Sequence, residues 1–300
     1  MKKIATKLAK KLKKAKSEKV ISLVAYKQMK NKLNEDLEQL NTVQSLVAKG
    51  HEPRHAIYMQ AQNLMSLIFE ALSEFRELDR INNILNQAED MYTPSWPPMS
   101  PISGSSYFAW SSFDVKVGLD NESYGSCLLD LHKIVGLQGN MYQLMQNMVN
   151  SRFGVYQVLD QIEGTIFLQE LVTKKRYKCV SATQYPFIRG QLWLTRLLAP
   201  VLPDCDIYVM FCSPYILVNT AQEWLAFFER NIKSSKKYPS IESAYDEFMR
   251  SGHATFYWVE FFMQAYVNYT DVSITLTGLP DISSSRPHAC DNNILGPMSH

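Results

Sequence analysis

The sequence has 300 residues, of which 46% are hydrophobic and 20% are charged, with a formal net charge of +2. This composition can support a buried core, which argues against an intrinsically disordered protein. No run of 18 apolar residues exists, and the lysine-rich start lacks the apolar segment of a secretory signal, so we expect a cytoplasmic protein without a transmembrane segment. The five irregularly spaced cysteines argue against a disulfide framework and a zinc site, and we expect no cofactor.

Residues 1–19 form a basic arm. They contain nine lysines and one glutamate, a local charge of +8, which leaves −6 for the rest of the chain. Ile4, Leu8 and Leu12 share one stripe of a predicted helix, and mutual repulsion of the lysines predicts a mobile arm in the free protein. The arm is either a solvated tail or a binding segment for nucleic acid, an anionic membrane or an acidic protein. The candidate binding residues in it are Lys3, Lys7, Lys10, Lys11 and Lys14.

Residues 20–92 are predicted to form an antiparallel helical hairpin. Apolar residues recur in alternating steps of four and three from Ile57 to Leu85, as in a coiled coil. Gly50 and Pro53 suit the turn between the two helices. A seam of this length indicates pairing within the chain and a face for a partner or a second copy. Its candidate partner-binding residues are Leu64, Phe75 and Asn82.

The segment 93–106 is predicted to be a proline-rich linker, since its four prolines disfavour helix and central strand. An α+β body is expected over 107–279, beginning with two strands at 107–117 and 123–131. Helices are predicted after residue 218. Residues 280–300 are predicted to be a flexible tail.

Residues 151–218 predict a small β-barrel or meander. Five short segments rich in β-branched and aromatic residues alternate with turn signals. On the fourth segment, Trp193 and Leu197 should face one interior because side chains alternate along a strand. Arg196 should then face outward, on a side that another element covers. The five predicted strands are 152–159, 165–172, 177–182, 191–198 and 206–217.

Two groups of residues could carry further chemistry. On the predicted strand 107–117, Asp114 and Lys116 would share a face, with Glu122 nearby, a pattern found in metal-dependent nucleases. A solvated strand face also produces this pattern. At a hairpin tip of the barrel, Lys174, Lys175 and Arg176 could bind a polyanion or only protect a strand edge. Phosphate-binding loops and common hydrolase signatures are absent from the sequence.

Three segments resemble stretches of uncharacterised bacterial proteins: 97–101 (PPMSP), 151–156 (SRFGVY) and 190–198 (GQLWLTRLL). The barrel is similar to small barrels that accompany other domains in such proteins. The resemblance covers roughly residues 95–218. It implies no activity and no functional residue.

These observations predict an α+β protein with an N-terminal helical hairpin, a small barrel and packed C-terminal helices. The leading functional hypothesis is a non-enzymatic interaction or adaptor component of a larger bacterial assembly. The first alternative is a nucleic-acid-binding factor that uses the lysine arm. The second is a metal-dependent nuclease with a site near Asp114.

Overall fold

The computed structural model describes residues 2–17, 43–92, 100–181, 188–200, 205–232, 238–264, 266–269 and 273–282. It mixes helices and strands, as the sequence predicts. The helices are α1 (Lys3–Ser17), α2 (Val43–Ala48), α3 (Pro53–Ser73), α4 (Asp79–Tyr92), α5 (Pro101–Phe113), α6 (Tyr124–Val135), α7 (Gly139–Asn150), α8 (Ala221–Asn231), α9 (Ile241–Ser251) and α10 (Tyr257–Gln264), with a 3-10 helix at Arg76–Leu78. The strands are β1 (Phe153–Ile162), β2 (Thr165–Glu170), β3 (Arg176–Val180), β4 (Leu192–Leu198), β5 (Ile207–Met210), β6 (Tyr215–Leu217), β7 (Tyr266–Tyr269) and β8 (Ile274–Leu276). Among the described residues, no helix has the length and apolarity that crossing a membrane requires.

The first five strands close into the predicted barrel. β1 pairs with β2 and β2 with β3, both antiparallel. β5 lies parallel to β3 and antiparallel to β4, and β4 pairs with β1 to close the ring. The spatial order 4-1-2-3 is a Greek key. β6, β8 and β7 continue the sheet from β4.

The predicted fifth strand, 206–217, is wrong in one respect. It is two strands, β5 and β6, which pair with different parts of β4: β5 with Leu197 and Leu198, and β6 with Leu192 to Leu194. The chain between them must bend because both strands use the same edge of β4. Pro214, which has no amide hydrogen, lies in this bend.

The two faces of β4 confirm the predicted alternation. Trp193 and Leu197 point into the barrel, and Arg196 lies on the opposite face with Leu192, Leu194 and Leu198. All of these side chains are buried, because helices cover the outer face. The barrel interior consists of Tyr156, Val158, Ile166, Leu168, Cys179, Trp193, Leu197, Met210 and Ile216.

The strands predicted at 107–117 and 123–131 are wrong: both segments are helical. Ser100 caps α5 by accepting a hydrogen bond from the Ser103 amide, and Pro101 occupies its first turn. Ser123 begins α6 with a capping box, and Gly136 ends that helix in the left-handed conformation at φ +83°. The predicted linker therefore ends at Ser100, and residues 93–99 of it lie outside the described residues.

The predicted seam from Ile57 to Leu85 is not one continuous helix. α3 ends at Ser73, and Phe75 is extended, with φ −88° and ψ 126°. Asn82 holds the bend, because its amide donates to the Ser73 carbonyl at 2.8 Å and its oxygen accepts from the Tyr124 hydroxyl. Residues 20–42, which include most of the first helix predicted for the hairpin, lie outside the described residues.

A buried ion pair joins the barrel to the helical layer. Arg196 has no exposed surface, and its guanidinium donates to the Asp114 carboxylate at 2.7 Å. It also donates to the Ser151 hydroxyl and carbonyl, both at 2.7 Å, and its plane lies 5.0 Å from the Phe113 ring centroid. Burial raises the pKa of Asp114, and the facing guanidinium opposes that rise. One cation thus links β4 to the C-terminal ends of α5 and α7.

We predict that Asp114→Asn lowers the free energy of unfolding by about 3–5 kcal/mol, because it leaves the Arg196 charge buried and uncompensated. Chemical denaturation measures the loss. Asp206→Asn is the control, since Asp206 pairs with Lys178 at 2.6 Å on the surface and its loss should have little effect. The double variant Asp114→Leu/Arg196→Met should recover much of the loss. Equal, small effects of both single variants would contradict the assigned role.

His55 is a half-buried titratable group at the start of α3. Its backbone amide donates to the Glu52 carboxylate at 3.0 Å, and its Nδ1 has no hydrogen-bond partner in the described structure. Burial lowers the pKa of His55 to about 4, and nearby His51 adds to the effect. The unfolded chain, with a pKa near 6.5, therefore takes up this proton at a higher pH than the folded protein does.

The neutral His55 side chain makes its full contribution to the free energy of unfolding above pH 6.5. As the pH falls toward 4, this contribution of about 3 kcal/mol is lost. We predict that His55→Leu reduces the loss of unfolding free energy between pH 7 and pH 4.5. Denaturation curves at the two pH values measure it, and the exposed His253 provides the control variant, His253→Gln. An identical pH dependence in His55→Leu and the parent protein would refute the prediction.

Candidate polyanion-binding surfaces

The basic arm is a docked helix, so the prediction of a mobile arm is wrong for the described residues 2–17. α1 packs on α6 and on the 3-10 helix. Its stripe of Ala5, Leu8, Ala9 and Leu12 is buried. The small side chains at positions 5 and 9 widen the predicted apolar stripe and allow close approach. Burial of this stripe compensates for the mutual repulsion of the lysines.

Acidic side chains from the α5–α6 segment hold the first turn of α1. The Glu122 carboxylate accepts hydrogen bonds from the amides of Ile4 and Ala5, at 2.8 and 2.9 Å. Asp120 accepts from the Lys3 amide at 3.0 Å, and Asp130 accepts from the Lys2 amide at 3.2 Å. Carboxylates at a helix N-terminus satisfy its free amides and oppose its positive dipole. These contacts fix the direction of α1 on the body.

The described lysine side chains of α1 are exposed, on the sides of the helix away from the buried stripe. The helix carries seven lysines and no acidic residue. Lys3, Lys7 and Lys10 follow steps of four and three, so they share one helical face of about 10 Å, and the side chain of the predicted Lys14 lies outside the described part of the structure. Lys11 lies beside this face and pairs with Glu77 at 2.8 Å. We call the exposed lysines of α1 the lysine ridge: Lys3, Lys7, Lys10, Lys11 and Lys13.

The residues of the nuclease hypothesis serve separate structural contacts. Asp114 is the C-cap of α5 and binds Arg196, while Glu122 is buried beneath the first turn of α1. Lys116 is half-buried in the turn after α5, not on a strand face. In the part of the chain that the structure describes, no three histidine, cysteine or acidic residues are placed to hold a metal ion.

The partner-binding candidates of the predicted hairpin lie in different environments. Leu64 lines an apolar groove of about 480 Å³ between α3 and the α6–α7 turn, together with Ile68, Leu137 and Met141. Phe75 is half-buried at the bend after α3, and Asn82 is occupied by contacts within the chain. Partner binding at Leu64 stays a prediction.

The second basic group lies on a firmly anchored hairpin of the barrel. Lys174, Lys175 and Arg176 are exposed at the β2–β3 connection. Below them, the buried Glu170 accepts from Arg152 at 2.8 Å, and Arg152 also donates to Asp246 of α9 at 2.6 Å. The sequence predicted the exposed cations but gave no sign of this anchor, whose members lie 18 and 94 positions apart.

Comparisons with protein-family models, curated proteins and solved structures find no match. The geometry of these surfaces is therefore the basis for a functional proposal.

We predict that Glu122→Ala loosens α1, because two first-turn amides lose a buried charged acceptor, at a cost of about 1–2 kcal/mol. Hydrogen exchange in peptides covering residues 3–17 should accelerate relative to the barrel strands. Asp120→Ala removes an exposed acceptor from the same turn and should have a smaller effect. Unchanged exchange in α1 of the Glu122 variant would show that the cap does not hold the helix.

Proposed function

We propose that this protein binds nucleic acid through its phosphate groups and that the lysine ridge is the contact surface. The observation that carries the proposal is the orientation of α1. Its apolar stripe is buried and its first turn is capped, so the lysines of the ridge face solvent on a helix with a fixed direction. A fixed row of cations can bind a polyanion without first ordering a flexible segment.

The charge distribution supports the same function. The first 19 residues carry +8 while the remainder carries −6, so the positive potential is concentrated in this region. Only the Lys11–Glu77 pair neutralises a lysine side chain of the ridge among the described ion pairs. Binding a phosphate backbone would relieve the repulsion between neighbouring lysines and release counterions from the nucleic acid.

The chemistry of the ridge also defines the expected specificity. Lysine ammonium groups bind phosphates as point charges, and α1 contains no arginine, amide or aromatic side chain for base recognition. Binding through this surface alone should be indifferent to sequence and should weaken steeply with salt.

We predict that the triple variant Lys3→Gln/Lys7→Gln/Lys10→Gln binds a 20-base-pair duplex more weakly at low salt. The slope of log affinity against log salt concentration should become shallower by about 0.9 for each phosphate contact removed. Fluorescence anisotropy titrations between 50 and 200 mM salt measure both quantities. Glutamine keeps a good helix propensity, so α1 should remain folded.

The matched control is Lys49→Gln/Arg80→Gln/Lys133→Gln, which removes three exposed cations outside α1. This control should keep most of the affinity and the slope. Equal affinities and slopes for the two triple variants, or no duplex binding by the parent protein at 50 mM salt, would rule out the lysine ridge as the contact surface.

A further inference from the structure

None of the described helices covers one side of the barrel. The outward side chains of β4 are buried under the helical layer, but those of β2, the start of β3 and the end of β1 are not. We call this surface the barrel face. Its members are Gln157, Asp160, Phe167, Gln169, Arg176 and Lys178, all half-buried or exposed.

Strand register orders the barrel face into two rows. Gln157, Gln169 and Arg176 are directly opposite one another across β1, β2 and β3. In the next row, Phe167 lies between the exposed Asp160 of β1 and Lys178 of β3. Directly opposed side chains on one face are about 5 Å apart, so the Phe167 ring lies between a carboxylate and a cation, with the row of two amides and Arg176 next to it toward the β2–β3 end.

Phe167 is a surface platform, not a core residue. Its ring makes no ring contact among the described residues and lies outside both buried clusters. Gln169 donates one hydrogen bond to the Lys174 carbonyl at 3.1 Å, which holds its side chain at the β2–β3 end of the face. Lys178 pairs with Asp206 at 2.6 Å, an exposed contact that an incoming anion can replace.

The cations of the barrel face are concentrated at one end. Lys174, Lys175 and Arg176 lie at the β2–β3 connection, whereas Asp160 borders Phe167 from β1 and Glu163 lies in the opposite hairpin turn. A ligand that matches this pattern carries a negative group at the β2–β3 end and a flat, hydrogen-bonding group over the ring. An acidic peptide without aromatic side chains, such as poly-glutamate, supplies the first feature but offers no ring to stack on Phe167.

We infer that the barrel face binds unpaired nucleotides of single-stranded nucleic acid. A base stacks on Phe167, the amides of Gln157 and Gln169 meet base edges, and Arg176 and Lys178 hold the adjoining phosphates. Aromatic platforms bordered by cations bind single strands in this way. The inference rests on the proposed function for the class of ligand, but it uses a different surface and adds a requirement for exposed bases.

The test compares two strands with equal numbers of phosphates: a 12-nucleotide oligothymidine and an abasic phosphodiester strand of the same length. Phe167→Ala should weaken oligothymidine binding roughly five- to hundred-fold, the range for loss of one stacked base. Its affinity for the abasic strand should not change. Phe167→Trp should restore oligothymidine binding, which separates stacking from a folding defect.

Ile241→Ala is the matched control, because Ile241 is an exposed apolar residue outside the barrel. It should bind both strands as the parent protein does. Equal affinities of Phe167→Ala and the parent for oligothymidine would overturn the inference, and so would equal losses on both strands. Binding of a poly-glutamate peptide that depends on Phe167, without binding of oligothymidine, would also overturn the inference.

The two proposals fail in distinguishable ways. If the lysine-ridge variant weakens binding to both strands while Phe167→Ala changes neither, the proposed function stands and the barrel-face inference is wrong. If Phe167→Ala selectively weakens oligothymidine binding while the ridge variant binds both strands normally, the barrel-face inference stands without the ridge. If the parent protein binds neither strand at low salt, both proposals are wrong.

Discussion

The buried contact between Arg196 and Asp114 sets the arrangement of the whole molecule. A guanidinium without exposed surface on the outer face of β4 needs several acceptors, and the ends of α5 and α7 supply them. This requirement fixes where α5 ends. The following turn then brings Glu122 beneath α1, where it accepts from the first-turn amides. The position of the lysine ridge thus depends on a charge pair in the interior.

The helical layer also determines which surfaces remain available. Helices bury the outer faces of β4 and β5, while the barrel face stays open on β2 and the adjoining strands. The two open basic surfaces differ in chemistry. The lysine ridge presents only ammonium groups, which suits phosphates of any strand. The barrel face adds a ring and two amides, which suits bases that are not paired.

The barrel was predictable because its signals are local. Short alternating segments separated by turns define five strands, and alternation alone places Trp193 inside and Arg196 outside. The sequence predicts strands where α5 and α6 lie because the aromatic and serine content of α5 and the aliphatic content of α6 both resemble strands. The signals that identify α5 were present in Ser100 and Pro101, an N-cap followed by a first-turn proline.

The candidate sites were harder to predict because they depend on contacts distant in sequence. Asp114 meets Arg196 across 82 positions, and Glu122 meets the α1 amides across more than 110. Neither contact leaves a local sequence pattern. Judged only by their neighbours in sequence, Asp114 and Glu122 are therefore interpreted as metal ligands. The lysines of α1 were evident from composition, but the docking that orients them depends on Ala5 and Ala9, whose small size carries no directional signal.

Hydrogen-exchange mass spectrometry of the full-length protein tests the central claim that two separate basic surfaces contact nucleic acid. The ligand is a 20-base-pair duplex with a 12-nucleotide single-stranded extension, compared with the free protein at low salt. The account predicts slower exchange in residues 3–17 and in the β2–β3 hairpin, with no change in the groove around Leu64. Slowing confined to that groove, or no slowing in either basic surface despite saturating ligand, would contradict it.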